Sequence, residues 1–357
     1  MTHLEERLEN DLTQIRNHVA SMASDVEQAV GNALHALQQG NEVLAFSTVL
    51  ADLPINREMR NIDRLCHAFI ALHLPSAGHL RLLSSVIRAN IILERIGDYA
   101  VIIAREAIQL STRPEGFVSL ELERVSGESR LVLSQAIKAF NELNAEYARG
   151  AIALANQLER STDSLYAELV SDRGSLGVRD HLIVFIIFTQ LKRVADQAKN
   201  LCEETIFAVT GETKTPKVYR ILFLDEDDSC LSKMAEAIAR KAFPESGTYS
   251  SGGRTAARMP NQNMVDFMLS RGFDLSDSEP QQADLSRAAL SDYHVVVCLQ
   301  GTIRSMIDEI PFRTSILEWN LADPPNNSDE KAWQELHGEL ALKIQELMVL
   351  LRGEGAA

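Results

Sequence analysis

Four consecutive acids, Asp225-Glu226-Asp227-Asp228, follow the apolar run Ile221-Leu222-Phe223-Leu224 and precede Ser229, Cys230 and Leu231. The apolar run reads as a buried parallel strand, and the residues from Ser232 onward as the opening of a helix. A strand–loop–helix of this kind presents backbone N–H groups and a positive helix end to an anion. With four acids in the loop, a phosphate would be repelled at the place built to receive it. The acids could instead hold a divalent cation, Asp225 could act as a nucleophile beside Mg²⁺, or the loop could simply be solvated. A second set of oxygen ligands lies earlier. Glu94 and Asp98 are spaced i,i+4 and share a helix face, with apolar Ile91, Ile96, Ile102 and Ile103 nearby. Asp52 and Asn56 repeat that spacing on a preceding segment. Four such side chains could cradle a divalent or iron-type ion (Mg, Mn, Fe or Zn); the alternative is that Arg95 and other bases neutralise them.

Helical periodicity supplies the elements that position this second set. It predicts helices over Leu4–Gln38, Glu42–Leu74, Ala77–Leu110, Ser119–Glu146, Ala151–Ser171 and Arg179–Thr210, with Pro54 and Pro75 cutting or kinking the pattern. Long helices with short connections make antiparallel bundles. The helices repeat. Arg88-Ala-Asn-Ile-Ile-Leu-Glu94-Arg95-Ile96-Gly97-Asp98 aligns with Ile186-Ile-Phe-Thr-Gln-Leu-Lys192-Arg193-Val194-Ala195-Asp196, an offset of 98 residues. Ala100 then matches Ala198, Glu106 matches Glu204, and Ile108 matches Ile206, as two tandem three-helix units would produce. The second copy departs at the acids. Glu159 and Asp163 keep an i,i+4 pair and Asp196 keeps one acid, but Lys192 stands opposite Glu94 and Ala195 opposite Gly97. An ammonium among these carboxylates predicts a weaker metal site there, with a Lys192–acid salt bridge in its place.

Past Thr210-Gly211-Glu212-Thr213-Lys214-Thr215-Pro216-Lys217, which has turn formers and no apolar face, strands alternate with helices. The reading is a helical domain over 1–210 (pseudo-repeats 1–112 and 113–210), a linker over 211–218, and an α/β domain over 219–352. Composition fits a globular chain: 45% hydrophobic and 24% charged residues, with a net charge of −15 that disfavours nucleic acid. Four cysteines without CxxC spacing (Cys66, Cys202, Cys230, Cys298) make neither a disulfide framework nor a zinc site, and point to a reducing compartment. The first residues do not read as a signal peptide, and the longest apolar run, Leu182 to Phe188, is too short to span a bilayer.

The run Leu93-Glu94-Arg95-Ile96-Gly97-Asp98-Tyr99-Ala100 resembles the hallmark of the PhoU family, as do His79-Leu80-Arg81-Leu82-Leu83 and the Thr210-Gly211-Glu212 ending. The resemblance covers residues 1 to about 212. It implies two pseudo-symmetric three-helix bundles in a cytoplasmic homodimer that regulates phosphate transport and phosphate-starvation signalling. The implied partners are the phosphate transporter's ATPase subunit and a phosphate-sensing histidine kinase, with peripheral but no inserted membrane contact.

Residues 219–352 resemble low-molecular-weight tyrosine phosphatases and the arsenate reductases of the same fold, a four-stranded parallel sheet. Those enzymes carry a nucleophilic Cys directly after the strand and an Arg six positions on, just before a Ser. Here Asp225 stands for the Cys, Asp227 and Asp228 for a Gly and an Asn, and Leu231 for the Arg. A carboxylate is no low-pKa thiolate and Leu clamps no oxyanion. Glu245-Ser246-Gly247-Thr248, Gly272-Phe273-Asp274-Leu275-Ser276 and Tyr293–Cys298 follow in the family's order. Cys298 falls where reductases place a resolving cysteine, without a second one downstream. Trp319-Asn320-Leu321-Ala322-Asp323-Pro324 retains Asp323 as the general acid. Asp225-x-Asp227-x-Ser229 also resembles the first motif of haloacid-dehalogenase phosphatases, and faintly the acidic pocket of receiver domains; their later landmarks do not follow in order.

Together these features predict a phosphate-signalling adaptor carrying a degenerate phosphatase-like module. The runners-up are an active phosphatase or reductase, an enzyme using Asp225 as nucleophile, and a metal-storage bundle without partners. Cys230 has Glu236 six positions on, where a Cys-loop enzyme needs Arg.

Overall fold

The structure, a computed structural model, describes residues 3–171, 176–214, 216–311, 313–325 and 329–353. It divides into two compact units between residues 214 and 215. The first contains six helices: α1 His3–Gln39, α2 Glu42–His73, α3 Ala77–Gln109, α4 Gly116–Glu142, α5 Ala145–Ser171 and α6 Val178–Thr210. α1 buries Ile15, Val19, Met22, Val26, Val30, Ala33 and Leu37, a three-and-four spacing that lays one stripe on the core. α1, α2 and α3 pack together, α4, α5 and α6 do the same, and α3 against α6 joins the two triples around one apolar cluster. α3 and α6 run antiparallel: Arg88 pairs with Glu204 at 3.3 Å, Arg193 lies 5.8 Å from the Tyr99 ring centroid, and Arg179 donates to Gln109 at 2.9 Å.

The helix ends follow cap chemistry. Asn41 accepts from Leu44 N at 3.0 Å to start α2, and Gly211, at φ 77, closes α6 by donating to Phe207 O at 2.9 Å. One boundary differs from the sequence expectation. The turn between α4 and α5 is Leu143-Asn144, not 147–150: Leu143 takes φ 51, and Asn144 Oδ1 accepts from Tyr147 N at 3.0 Å. Gly150 sits inside α5 with open space around it, where a helical glycine costs only about 1 kcal/mol. Pro54 does not cut α2. It lies on the exposed side, where the Leu50 carbonyl deprived of its donor can bond water.

The second unit is a parallel sheet of order β2-β1-β3-β4, with β1 Tyr219–Asp225, β2 Gly247–Gly253, β3 Val295–Cys298 and β4 Ser315–Glu318. Its helices are α7 Leu231–Ala242, α8 Gln262–Ser270, α9 Arg287–Leu290, α10 Ile303–Met306 and α11 Glu330–Arg352. Strand alternation splits the core. Ile221, Phe223, Val295 and Val297 face a cluster with Met234, Met264, Trp333 and Leu340 from α7, α8 and α11, whereas Leu222, Leu224 and Val296 join Leu290 and Ile307. β1 has β2 on one side and β3 on the other, so the loop after Asp225 leaves at the switch point where open α/β sheets bind ligands.

The connection between the helical repeats is held by one buried acid. Asp180, in the first turn of α6, accepts from Ser111 N at 3.0 Å and Thr112 N at 3.2 Å, just past the end of α3. Asp180→Ala should lower unfolding stability by about 1–2 kcal/mol, since the two N–H groups lose a charged acceptor but lie where water reaches them. Urea unfolding followed by far-UV circular dichroism measures the change; an unaltered midpoint would mean that the connection holds without Asp180.

Candidate functional site

Two acid centres result, and they meet their charge differently. The first lies on the seam between α2 and α3. Asn90 donates to Met59 O at 2.8 Å and Asp63 Oδ1 at 2.9 Å, while a Cβ on Gly97 would sit 3.6 Å from Asp52 Oδ1 and 3.6 Å from Ile55. The two helices are therefore antiparallel, and the glycine brings α3 close to Asp52. Asp52 Oδ2 accepts from Asn56 Nδ2 at 2.5 Å, but Oδ1 is buried with no hydrogen-bond partner. Burial raises the Asp52 pKa, and the Asp98 charge raises it further. Glu94 is also raised, by burial, then by Asp98 and Asp52, with Arg95 pulling weakly the other way. Asp52, Asn56, Glu94 and Asp98 are thus brought together as the i,i+4 spacing predicts. Among the described residues no salt bridge neutralises Asp52, Glu94 or Asp98, and no three His, Cys, Asp or Glu side chains already converge on a common metal position.

In the second repeat a cation that the sequence reading overlooked lies against Glu159. Lys199 Nζ lies 3.8 Å from Glu159 and donates to Asn156 Oδ1 at 2.6 Å. Lys199 is two helical turns beyond Lys192, a spacing that could have revealed it. Lys192 and Asp196 are half-buried on α6, and the Asp163 side chain lies outside the described residues.

The second centre is the loop after β1, where two of the acids turn inward. Asp225 and Asp228 are 4% and 0% exposed, so the solvated-loop reading fails for both. Asp225 Oδ1 accepts from Asp228 N at 2.6 Å, and Oδ2 from Ser232 N at 3.0 Å at the start of α7. Its carboxylate takes one loop and one helix N–H group that an anion would otherwise use. Asp228, at φ 56, bridges onward: Oδ2 meets Lys233 Nζ at 3.0 Å and Gln281 N at 2.7 Å. Lys233 was another residue missed from sequence, although a buried cation in a helix's first turn, against the helix dipole, demands a nearby acid.

One hydroxyl serves two carboxylates in this network. Ser232 Oγ is 2.8 Å from Asp225 Oδ2 and 2.8 Å from Asp228 Oδ1, yet a hydroxyl carries one hydrogen. The two carboxylates share that hydrogen. Asp228 has the Lys233 ammonium at 3.0 Å, while burial raises the Asp225 pKa against the lowering hydrogen bonds from Ser232 and Asp228.

The outer acids are conventional. Asp227 Oδ1 accepts from Ser229 N at 3.1 Å, and Glu226 pairs with Arg254 at 2.9 Å. The end of β2 locks the loop: a Cβ on Gly253 would meet Asp227 Cα at 2.6 Å, and Arg254, Thr255 and Ala257 donate to the carbonyls of Asp225, Glu226 and Asp227. Leu231 is fully buried, and burial together with Asp225 and Asp227 drives the Cys230 thiol far up, away from a nucleophilic thiolate. Cys298 is buried and pushed up to about 11. Asp323 is exposed and accepts from Gln300 Nε2 at 2.8 Å.

Residues 19–107 and 122–205 each match the PhoU domain family, and the two matches end 98 residues apart, the offset of the internal repeat. The phosphate-specific transport system accessory protein PhoU homolog of Pseudomonas putida is 32% identical over 214 residues, 58% of this chain and 83% of that protein. The crystal structure of PhoU from Pseudomonas aeruginosa matches with a TM-score of 0.54 at 30% identity, covering 57% of this chain and 99% of that one. A tyrosine phosphatase from Erwinia amylovora matches 38% of this chain and 94% of its own at 18% identity and a TM-score of 0.33.

The inward carboxylate makes a specific prediction. Asp225→Ala strands two buried N–H groups and should cost about 3 kcal/mol in the second unit; formate, the missing carboxylate, should restore part of that loss while leaving wild type unchanged. Because the folded pKa of Asp225 lies above its ordinary 3.8, its contribution is complete below that value and is lost as pH rises through the folded pKa. The advantage of wild type over Asp225→Asn should therefore shrink with rising pH. Melting curves from pH 4 to 8 test both points; an advantage that grows with pH would place an ionised Asp225 in the loop.

Proposed function

The chain belongs to the PhoU family, and on that premise we propose that it regulates phosphate transport and phosphate-starvation signalling as a metal-binding cytoplasmic adaptor. Its proposed partners are the ATPase subunit of the phosphate transporter and a phosphate-sensing histidine kinase, engaged by a homodimer. Its relatives' names as accessory proteins of the phosphate-specific transport system support this role. Among the described residues no helix is long and apolar enough to cross a membrane.

The observation that carries the metal reading is the orphaned Asp52 Oδ1. A buried carboxylate oxygen without a donor costs stability unless a cation meets it. Asp52, Asn56, Glu94 and Asp98 would hold the ion through oxygen atoms, a set that suits Mg²⁺ or Mn²⁺ best and Zn²⁺ least. The ion would supply positive charge that lets three acids share one seam. These residues would orient it, while Gly97 keeps α3 near enough for both helices to contribute. In the second repeat Lys199 at Glu159 and Lys192 beside Asp196 oppose a cation, so Glu159, Asp163 and Asp196 form the weaker site.

For the second unit we propose a phosphatase-like binding module without turnover. An incoming phosphate would find the Asp228 and Ser232 N–H groups already bound to Asp225, a leucine in place of the clamping guanidinium, and the Cys230 thiol buried. The alternative of Asp225 as nucleophile needs a carboxylate free to attack, and both its oxygens are engaged.

Elemental analysis and melting curves with Mn²⁺ and Mg²⁺ on the full chain, Asp98→Ala and Asp196→Ala test the metal reading. Wild type and Asp196→Ala should gain stability with metal concentration, about 2.7 kcal/mol at a hundredfold excess over Kd; Asp98→Ala should gain little. Without metal, the raised pKa values of Asp52 and Glu94 make folding less favourable as pH rises through them. Bound metal should reverse that slope. A response lost in Asp196→Ala and kept in Asp98→Ala would invert the proposed asymmetry. Hydrolysis of an aryl phosphate should stay at background, and turnover abolished by Asp225→Asn would establish the nucleophile instead.

A further inference from the structure

α2 has two faces, and among the described residues of the helical unit one of them is packed and the other exposed. Thr48, Ile55, Ile62 and Phe69, spaced by sevens, are buried against the rest of the helical unit. On the opposite side, Val43, Phe46, Leu50, Leu53, Arg57, Arg60 and Arg64 follow one another at intervals of three and four without a break. This is the a/d register of a coiled-coil seam, with the buried residues at f. Val43 is 79% exposed, Phe46 56%, Leu50 65% and Leu53 56%. The three arginines are also exposed. Arg64 donates only to Asn61 on its own helix, at 2.9 Å, and no partner is described for Arg57 or Arg60. Pro54 lies beside the seam, at an e position, and α2 continues through it.

We propose that this ridge docks a helix of another protein, one that presents apolar residues to Val43–Leu53 and carboxylates to Arg57, Arg60 and Arg64. Three observations select that occupant. The seam is narrow and keeps a 3.5-residue period over three heptads, about 30 Å; a helix lying on a membrane uses a wider apolar face. Exposed arginines without a described acidic partner continue the same line in a chain whose net charge is −15, so acidic side chains complete the match and basic ones are rejected. Finally, four such side chains expose only a few hundred Å², short of the roughly 800 Å² per partner that a stable dimer buries. A second copy would also set arginines where carboxylates are needed. The surface therefore suits a reversible partner. This extends the adaptor reading to a surface and a partner chemistry, and it uses neither the acid seam nor the phosphatase-like unit, so its failure would leave those readings intact.

Fluorescence anisotropy with the full chain tests it, using two labelled helical peptides of about three heptads. Each has Leu at a and d in one half and Glu at those positions in the other, and the two run in opposite order to allow parallel and antiparallel docking. One of them should bind with a Kd of about 100 µM or tighter. Leu50→Glu should weaken binding by about tenfold or more. The double variant Arg57→Glu/Arg60→Glu should lose the Glu peptide and gain its Lys counterpart. Because all these side chains are exposed, melting temperatures should stay at the wild-type value, which separates lost docking from lost folding. Binding of neither peptide, or binding indifferent to Leu50→Glu, would overturn the proposal. So would binding to phosphatidylcholine/phosphatidylglycerol vesicles that Leu50→Glu abolishes while the peptides fail to bind, which would assign the ridge to a lipid surface. Sedimentation showing a dimer that Leu50→Glu dissociates, again without peptide binding, would assign it to a second copy.

Discussion

A carboxylate drawn out of water must be met by hydrogen-bond donors or by a cation, and each unit of this chain satisfies that demand in its own way. In the second unit the answer is internal. Asp225 takes Asp228 N and Ser232 N, and Asp228 takes Lys233, Gln281 N and a share of Ser232 Oγ. The N–H groups of Asp228 and Ser232 are thereby taken by a side chain of the loop itself and are not left for a ligand. In the first unit the answer is incomplete. Asp52 has one oxygen on Asn56 and one on nothing, beside Glu94 and Asp98, and the Asp98 charge raises the pKa of both Asp52 and Glu94. One of these networks is satisfied within itself and the other leaves a carboxylate oxygen open, although both read in sequence as clustered acids.

The two helical repeats apply the same constraint with different side chains. Glycine at 97 lets α3 approach Asp52; alanine stands at 195. Glu94 gives way to Lys192, and Lys199 reaches Glu159 at 3.8 Å. A fold held by long antiparallel helices tolerates this, because its core stripe lies elsewhere: Ile96, Ala100 and Ile103 in one copy, Val194, Ala198 and Leu201 in the other, are all buried. The apolar pattern keeps the scaffold while the charged positions beside it diverge.

Much of this architecture was legible because it rests on periodicity. Burial at three-and-four spacing gave the six helices, and Ile221-Leu222-Phe223-Leu224 reads as a strand covered on both faces, which the split between its two clusters bears out. The repeat offset was legible for the same reason. What escaped were features set by single backbone angles and by distant donors. The α4–α5 turn depends on Leu143 at φ 51, a conformation leucine seldom takes. The direction in which Asp225 and Asp228 point depends on N–H groups, and on Gln281, fifty-three residues beyond Asp228, which no local pattern reveals. Lys233 and Lys199 escaped because a lysine's partner is fixed only once the helices are in place. In the acid seam, i,i+4 spacing on two neighbouring helices is enough to bring the side chains of Asp52, Asn56, Glu94 and Asp98 near one another.

The most direct test of the open-seam account is anomalous X-ray scattering at the manganese edge from crystals of the full chain grown with Mn²⁺. The account predicts a peak bonded to Asp52 Oδ1, with Glu94 or Asp98 among its other ligands, at about 2.0–2.3 Å, typical of oxygen ligands to cations of this size. A map with no manganese at the seam, in which Asp52 Oδ1 accepts a hydrogen bond from a protein group, would contradict it.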